Sequence, residues 1–132
     1  MRIAVTEWTI GAVLDAIAEA VPDRVMTVCG DRRSTFAEVA SRTRRFANFL
    51  SDNGFGEQIP RSRLARWECG QDRIALLMRN DLYPDAMLGC LKARVVPVNV
   101  NNHYTAGEVR DLLEYVRPRG IVYHRSFGAV VA

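Results

Sequence analysis

A chain of 132 residues, 48% hydrophobic and 25% charged, carries enough apolar material for one buried core, which excludes a disordered chain. Its net charge of +3, from 18 basic against 15 acidic residues, is too small to argue for nucleic acid. Lys92 is the sole lysine, and the arginines that carry the rest of the positive charge are scattered, as GC-rich coding alone would produce.

In chain order, the segment from Met1 to Asp23 opens with Arg2 and an apolar stretch. Asp15 and Glu19 interrupt that stretch and no small-x-small cleavage site follows, so it reads as a helix rather than a secretory leader. No window approaches the roughly 18 apolar residues of a membrane span. Thr9 is placed to cap this helix, whose apolar face is predicted at Ile10, Val13, Leu14, Ile17 and Val21, with Pro22 ending it. Val25–Cys29 reads as a strand, Gly30-Asp31 as a turn and Ser34–Phe36 as its return. A second helix is predicted from Ala37 to Asn53, burying Phe36, Val39, Ala40, Ala47 and Leu50, with Gly54 as its terminator. The Arg42–Arg45 cluster reads as the wet face of that helix. Residues 55–71 are too long for an ordinary helix-to-strand connection and read as an inserted loop with a helical turn. Arg61, Arg63, Arg66 and Trp67 in that loop resemble a single-strand nucleic-acid contact, but a surface loop accounts for them more simply.

The run from Asp72 to Pro118 is the most regular part of the chain. Ile74–Met78 is a continuous apolar strand, Asn80-Asp81 opens a helix with Pro84 in its first turn, and Met87, Leu88 and Leu91 form its buried side. Val95–Val100 is a second buried strand, which Pro97 marks as irregular. Thr105 and Glu108 make a capping box for a helix with the stripe Val109, Leu112, Leu113 and Val116. Pro118 and Gly120 stop it, Ile121–Tyr123 is a third strand, and Ser126 begins another helix. Strand alternating with helix specifies an α/β fold, a partial parallel sheet flanked by helices.

Chemistry-bearing residues are few. The three cysteines, Cys29, Cys69 and Cys90, form no Cys-x-x-Cys and no disulfide framework. Cys29 and Cys90 lie in apolar runs and read as small core residues of a reducing, cytoplasmic protein. His103 follows a strand among Asn99, Asn101, Asn102 and Tyr104, where open parallel sheets bind ligands. His124 ends the last strand. Neither matches a zinc spacing, and no Gly-x-Ser-x-Gly accompanies them. Gly54-Phe-Gly56 follows a helix and lacks a third glycine, so it reads as a cap and turn rather than a dinucleotide fingerprint. There is no phosphate loop and no paired catalytic carboxylates, so no catalytic residue and no metal ligand is assigned.

Several motifs, in order, carry a resemblance. They are Gly30-Asp31 through Thr35-Phe36-Ala37-Glu38-Val39, Asp72-Arg-Ile-Ala-Leu-Leu-Met-Arg-Asn80, Leu88-Gly-Cys-Leu-Lys-Ala93, Pro97-Val-Asn99 and Tyr104-Thr-Ala-Gly-Glu-Val109. Together they resemble the N-terminal subdomain of the adenylate-forming, AMP-binding superfamily that contains the acyl-CoA synthetases. The Val98–Asn101 stretch is most similar to its bacterial fatty-acyl and steroid-side-chain branch. The resemblance covers about residues 9 to 125 and departs at Arg94, where the family usually has glycine, and in the long 55–71 loop. It implies that residues 1–132 are an incomplete AMP-binding domain. The complete enzyme would use ATP, Mg2+ and CoA to turn a carboxylic acid, fatty-acyl or steroid-side-chain, into an acyl-adenylate and then an acyl-CoA. The family's catalytic elements lie downstream of the matched region, so this chain alone is expected to be inactive, to hold none of these cofactors tightly, and to self-associate through unpaired edges. The resemblance also implies, for His103, a contact with the phosphates of CoA. A non-catalytic interaction module and a fatty-acyl-AMP ligase relative are the alternatives, and a nucleic-acid partner is not expected.

Overall fold

The computed structural model describes residues 8–132, and the first seven residues, part of the stretch weighed above as a leader, lie outside them. Helix α1 (Ile10–Ala20) leads into a hairpin of β1 (Val25–Cys29) and β2 (Arg32–Thr35), then α2 (Phe36–Asp52). After an irregular segment come β3 (Arg73–Leu77), α3 (Tyr83–Lys92), β4 (Val96–Asn99), α4 (Ala106–Val116), β5 (Gly120–Tyr123) and a short α5 (Gly128–Val131). The hairpin is antiparallel, while β3, β4 and β5 form a parallel sheet in the order β4-β3-β5. The predicted hairpin and the predicted parallel sheet are therefore both present.

Local chemistry sets the boundaries. Thr9 Oγ1 accepts the Ala12 amide at 3.2 Å, starting α1. A capping box opens α2, with Thr35 and Glu38 bonded to each other's backbone amides, and a second, Thr105 with Glu108, opens α4. The second box is the one read from the sequence; the first lies where the sequence places Thr35 within a strand. Helix α3 begins later than the Asn80-Asp81 signal suggests: Asp81 Oδ1 closes on the Leu82 amide at 2.8 Å, and the helix starts at Tyr83 with Pro84 in its first turn.

Period-two burial makes the sheet the centre of two layers. Ile74 and Leu76 point to α2 and α3, joining Ala47, Leu50, Ala86, Cys90 and Val95. Ala75 and Leu77 point the other way, to Val100 and Val109, with Leu112, Leu113, Val130 and Val131 of α4 and α5 alongside. Leu14, Ala18, Val39, Ala40 and Leu88 form a third cluster in which α1 packs on the outer side of α2 and α3. Gly89 lets α2 and α3 approach closely, since a Cβ there would stand 2.6 Å from a ring carbon of Phe46.

Several predicted faces need correction. In α1 the buried residues are Gly11, Leu14 and Ala18, while Ile10 is 58% exposed. The helix docks through its small residues, with Gly11 against the stem of Lys92, and this turns the bulkier isoleucine arc outward. Cys29 is exposed because the hairpin is covered only around Met26 and Thr27, whereas Cys90 is buried as expected. Burial pushes the Cys90 thiol up to about 12, so it is an inert core group. Strand β4 is half-buried rather than buried, being an edge of the sheet, and that position tolerates Pro97. Of the α4 stripe only Val109 is fully buried.

Two helices end in the same hydrogen-bond pattern, with one chemical difference. After α2, Gly54 N bonds Ser51 O and Phe55 N bonds Leu50 O, and Gly54 takes φ +74°. After α3, Arg94 N bonds Leu91 O and Val95 N bonds Cys90 O, and Arg94 takes φ +62°. Both are Schellman terminations, which favour glycine at the left-handed position. This explains why glycine is the usual residue of the resembled family there. Arg94 bears the left-handed cost of roughly 1–2 kcal/mol, offset only by an exposed pair with Glu57 at 3.3 Å. Arg94→Gly is expected to stabilise the chain by about 0.5–1 kcal/mol and raise Tm by about 2–4 °C in thermal unfolding.

Candidate functional site at the carboxyl edge of the sheet

The order β4-β3-β5 brings three loops to one edge. Past β3 lie Met78, Arg79 and Asn80; past β4 lie Asn101, Asn102 and His103; past β5 lie His124, Arg125 and Ser126. The ladder reaches this edge through Val100 N to Leu76 O at 3.1 Å and His124 N to Leu77 O at 3.0 Å. An open parallel sheet presents its ligand crevice here.

His103 sits where the sequence places it, in an exposed turn between β4 and α4. Asn101 shapes that turn: its Oδ1 accepts the His103 amide at 2.9 Å and its carbonyl accepts the Tyr104 amide at 3.1 Å. Glu108 locks the loop's far end, accepting the Thr105 amide at 2.8 Å and hydroxyl at 2.9 Å. Those two bonds, the backbone one first, hold its carboxyl below the usual range. The ring of His103 is thus carried on a braced loop and makes no hydrogen bond among the described residues.

His124 is differently engaged. Its Nδ1 lies 2.7 Å from Ser126 Oγ and accepts the Ser126 amide at 3.2 Å, starting the turn that precedes α5. Its ring meets Phe127 edge-on at 6.4 Å, and the Arg79 guanidinium lies over the Phe127 ring at 5.4 Å. The two histidines lie in the loops that follow β4 and β5, the strands on either side of β3. No hydrogen bond joins them among the described residues. Among the described residues no group of three histidine, cysteine or acidic side chains could hold a metal.

The segment after α2 is not a free loop. Gly70 O accepts the amides of Gln58 at 2.8 Å and Ile59 at 3.1 Å, and a single 3-10 turn spans Arg61–Arg63. Arg61 spends its guanidinium on the carbonyls of Ala65, Arg66 and Glu68 at 2.8–3.1 Å. Its charge therefore closes the loop on itself, while Trp67 stands 86% exposed. Asp72 ties the segment to the sheet, accepting Gln58 Nε2 at 2.7 Å, Arg119 Nη1 at 2.9 Å and the Gly56 amide at 3.1 Å. Burial raises the Asp72 carboxyl, but these bonds and the Arg119 charge outweigh it and hold it below the usual range. A carboxyl lowered on folding stabilises above its unfolded pKa, so this anchor weakens as pH falls through the lowered value.

The ion pairs between helices were not visible in the sequence. Arg42, expected on a wet face, instead meets Asp85 of α3, Nε to Oδ1 at 2.5 Å, while Arg44 and Arg45 are exposed. Lys92 is half-buried and pairs with Asp15 of α1, with Arg44 at 3.5 Å from the same carboxylate. The only lysine is therefore structural and is not held ready for a phosphate.

A profile of the AMP-binding enzyme family matches residues 14–131. The chain belongs to the AMP-binding enzyme family. Across its full length it is 38% identical to the medium-chain acyl-CoA ligase Mig of Mycobacterium avium, covering 24% of that protein. It is 34% identical over 115 residues to the medium/long-chain-fatty-acid–CoA/3-oxocholest-4-en-26-oate–CoA ligase of Mycobacterium tuberculosis H37Rv, covering 86% of this chain and 19% of that one. Among solved structures, a benzoate CoA ligase from Burkholderia xenovorans superposes with TM-score 0.78 at 25% identity, over 95% of this chain and 23% of that one. The N-terminal domain of FACL13 from Mycobacterium tuberculosis gives 0.75 at 25% identity, over 93% and 28%. The AMP-binding fold expected from the motifs is thus the fold observed, and the chain spans 19–24% of the length of these two curated relatives. Among the described residues no helix is long and apolar enough to cross a membrane.

Proposed function

We propose that these 132 residues are the structural opening of a bacterial acid–CoA ligase acting on a fatty acid or a steroid-side-chain acid in the cytoplasm. The single observation that carries this is full-length similarity to a medium-chain acyl-CoA ligase, with the family match running over residues 14–131. In such an enzyme ATP, with Mg2+, would adenylate the acid's carboxylate with loss of pyrophosphate, and the CoA thiol would then take the acyl group and release AMP. No phosphate loop and no metal-binding group occurs among the described residues, so neither step is assigned to them. What this chain contributes is a scaffold: a sheet edge, a braced loop and the helices behind them.

Within that reading, His103 is the residue we assign to CoA. Its ring is exposed beyond a parallel strand, and its loop is fixed by Asn101 at one end and the Thr105–Glu108 box at the other. An exposed imidazole beside a phosphate contributes at most about 1 kcal/mol. In a ligase joining this segment to the remainder of the Mycobacterium avium relative, His103→Ala is expected to raise KM for CoA about three- to fivefold. Acid-dependent ATP–pyrophosphate exchange, which does not involve CoA, should be unchanged. An unaltered KM would remove the His103 assignment, whereas no acyl-CoA formation by the parent would remove the ligase reading.

A further inference from the structure

Strand β5 runs out into His124-Arg-Ser-Phe127, and the ring of His124 starts the 3-10 turn Arg125–Phe127 that leads into α5. The Ser126 amide can only donate, so Nδ1, 3.2 Å away, must present its lone pair. The proton of the neutral imidazole then sits on Nε2. Ser126 Oγ, 2.7 Å from Nδ1, serves either form of the ring, donating to the bare nitrogen or accepting from the protonated one. The amide is therefore the bond that discriminates between them. A side-chain acceptor here acts as a helix cap, the role filled elsewhere in this chain by Thr9, Thr35 and Thr105. Those hydroxyls do not titrate near neutral pH, whereas a free imidazole does so at about pH 6.5. Protonation turns Nδ1 from an acceptor into a donor, and a donor aimed at an amide N–H repels it.

What hangs on this cap is weakly held. Helix α5 is four residues long, has no side-chain cap of its own and contains no fully buried residue. A helix that short is not stable by itself. Its hold is Phe127, Val130 and Val131, packed beside Ala75, Leu77, Val100 and Val109. A hollow of about 420 Å³ lies between α5 and α4, and α4 lines it with Arg110 and Glu114. No acid stands ready to offset a charge on His124. Arg79, past the end of β3, lies over Phe127, the ring that His124 meets edge-on, and Arg125 follows His124 in the turn. Helix α5 carries no charged side chain. Among the described residues no carboxylate pairs with His124, Arg79 or Arg125.

We propose that His124 is a pH-sensitive cap: neutral, it seats the turn and α5 on the sheet, and protonated at Nδ1 it releases them. The neutral ring is the form the fold uses, so the contribution is complete above roughly pH 7.5 and is lost as pH falls below the ordinary imidazole value. The Asp72 anchor weakens only in the carboxylate range, and it sits before β3 rather than past β5, so the two acid effects are separate in pH and in place. The proposal rests on the fold alone and is independent of the ligase reading.

Hydrogen exchange read by mass spectrometry on the 132-residue chain tests this, with protection corrected for the intrinsic pH dependence of exchange. From about pH 8 to about pH 5.5 the segment 125–132 should lose roughly three- to tenfold in protection, the most that one imidazole carried about one pH unit below its ordinary value can supply. The segment 73–80, which contains Leu76, should keep its own. His124→Asn offers a cap acceptor that does not titrate in this window and should abolish the fall. His124→Asp, charged throughout the window, serves the same purpose if asparagine unfolds the chain. His103→Ala, which removes the other histidine, should leave the fall in place. Should the chain alone self-associate, the same segments are read in the protein joined to the remainder of the Mycobacterium avium relative. Equal protection at the two pH values, a fall that survives in His124→Asn or His124→Asp, or a fall shared equally by segment 73–80 would overturn the proposal.

Discussion

Leu76→Ala should cost about 3–4 kcal/mol and lower Tm by roughly 10–15 °C, the largest effect expected from one substitution in this chain. Leu76 is 0% exposed at the middle of the central strand, flanked by β4 and β5. Its side chain joins Ala47, Leu50, Ala86 and Cys90, all of them held by helices braced at other points. That surround cannot collapse into the space a leucine leaves, so the cavity cost adds to the lost transfer energy. Against a total of about 5–15 kcal/mol for a domain of ordinary stability, the loss is a large fraction. Leu76→Met keeps the volume and should cost less than about 1.5 kcal/mol. Urea unfolding of the two variants beside the parent reads the difference, and a loss below about 1 kcal/mol for alanine would contradict the packing described.

Gly70→Ala comes second and acts elsewhere. A Cβ at Gly70 would stand 2.1 Å from the carbonyl oxygen of Ile59 and 2.9 Å from its carbonyl carbon. Backbone cannot swing aside as a flexible side chain would, so the two limbs of the 55–71 segment must part. Parting them breaks the amide bonds of Gln58 and Ile59 to Gly70 O and strains the anchor on Asp72. We expect a loss of about 2–3 kcal/mol. Hydrogen exchange separates this from a general weakening: the amides of Gln58 and Ile59 should lose protection while that of Leu76 keeps its own. Equal loss at both would mean that the segment is integral to the sheet's stability rather than strapped onto it.

These two predictions mark where the sequence was informative and where it was not. The run Ile74–Leu77 and the box Thr105–Glu108 act over a few residues, so spacing alone reveals them, whereas the box Thr35–Glu38 was hidden behind the reading of Thr35 as strand. The position of His103 past a parallel strand was also legible, and it lies in the exposed turn between β4 and α4. By contrast, Arg42 reaches Asp85 across 43 positions and Arg119 reaches Asp72 across 47. No local pattern records such pairs. The buried face of α1 was misread for a related reason: a hydrophobicity pattern favours the bulky arc of Ile10 and Ile17, whereas close helix packing selected Gly11, Leu14 and Ala18. Arg94 was noticed as a departure from the family, but only its φ of +62° says why glycine suits that position.

The central claim is that this segment supplies scaffold to an acid–CoA ligase and carries none of the adenylating chemistry itself. Fatty-acid-dependent ATP–pyrophosphate exchange, measured on the purified 132-residue chain and on the same sequence joined to the remainder of the Mycobacterium avium ligase, tests it most directly. The account predicts no exchange above background from the chain alone and clear exchange from the joined protein. Exchange by the 132 residues alone, or a joined protein that folds but stays silent with every fatty acid and steroid-side-chain acid tried, would contradict it.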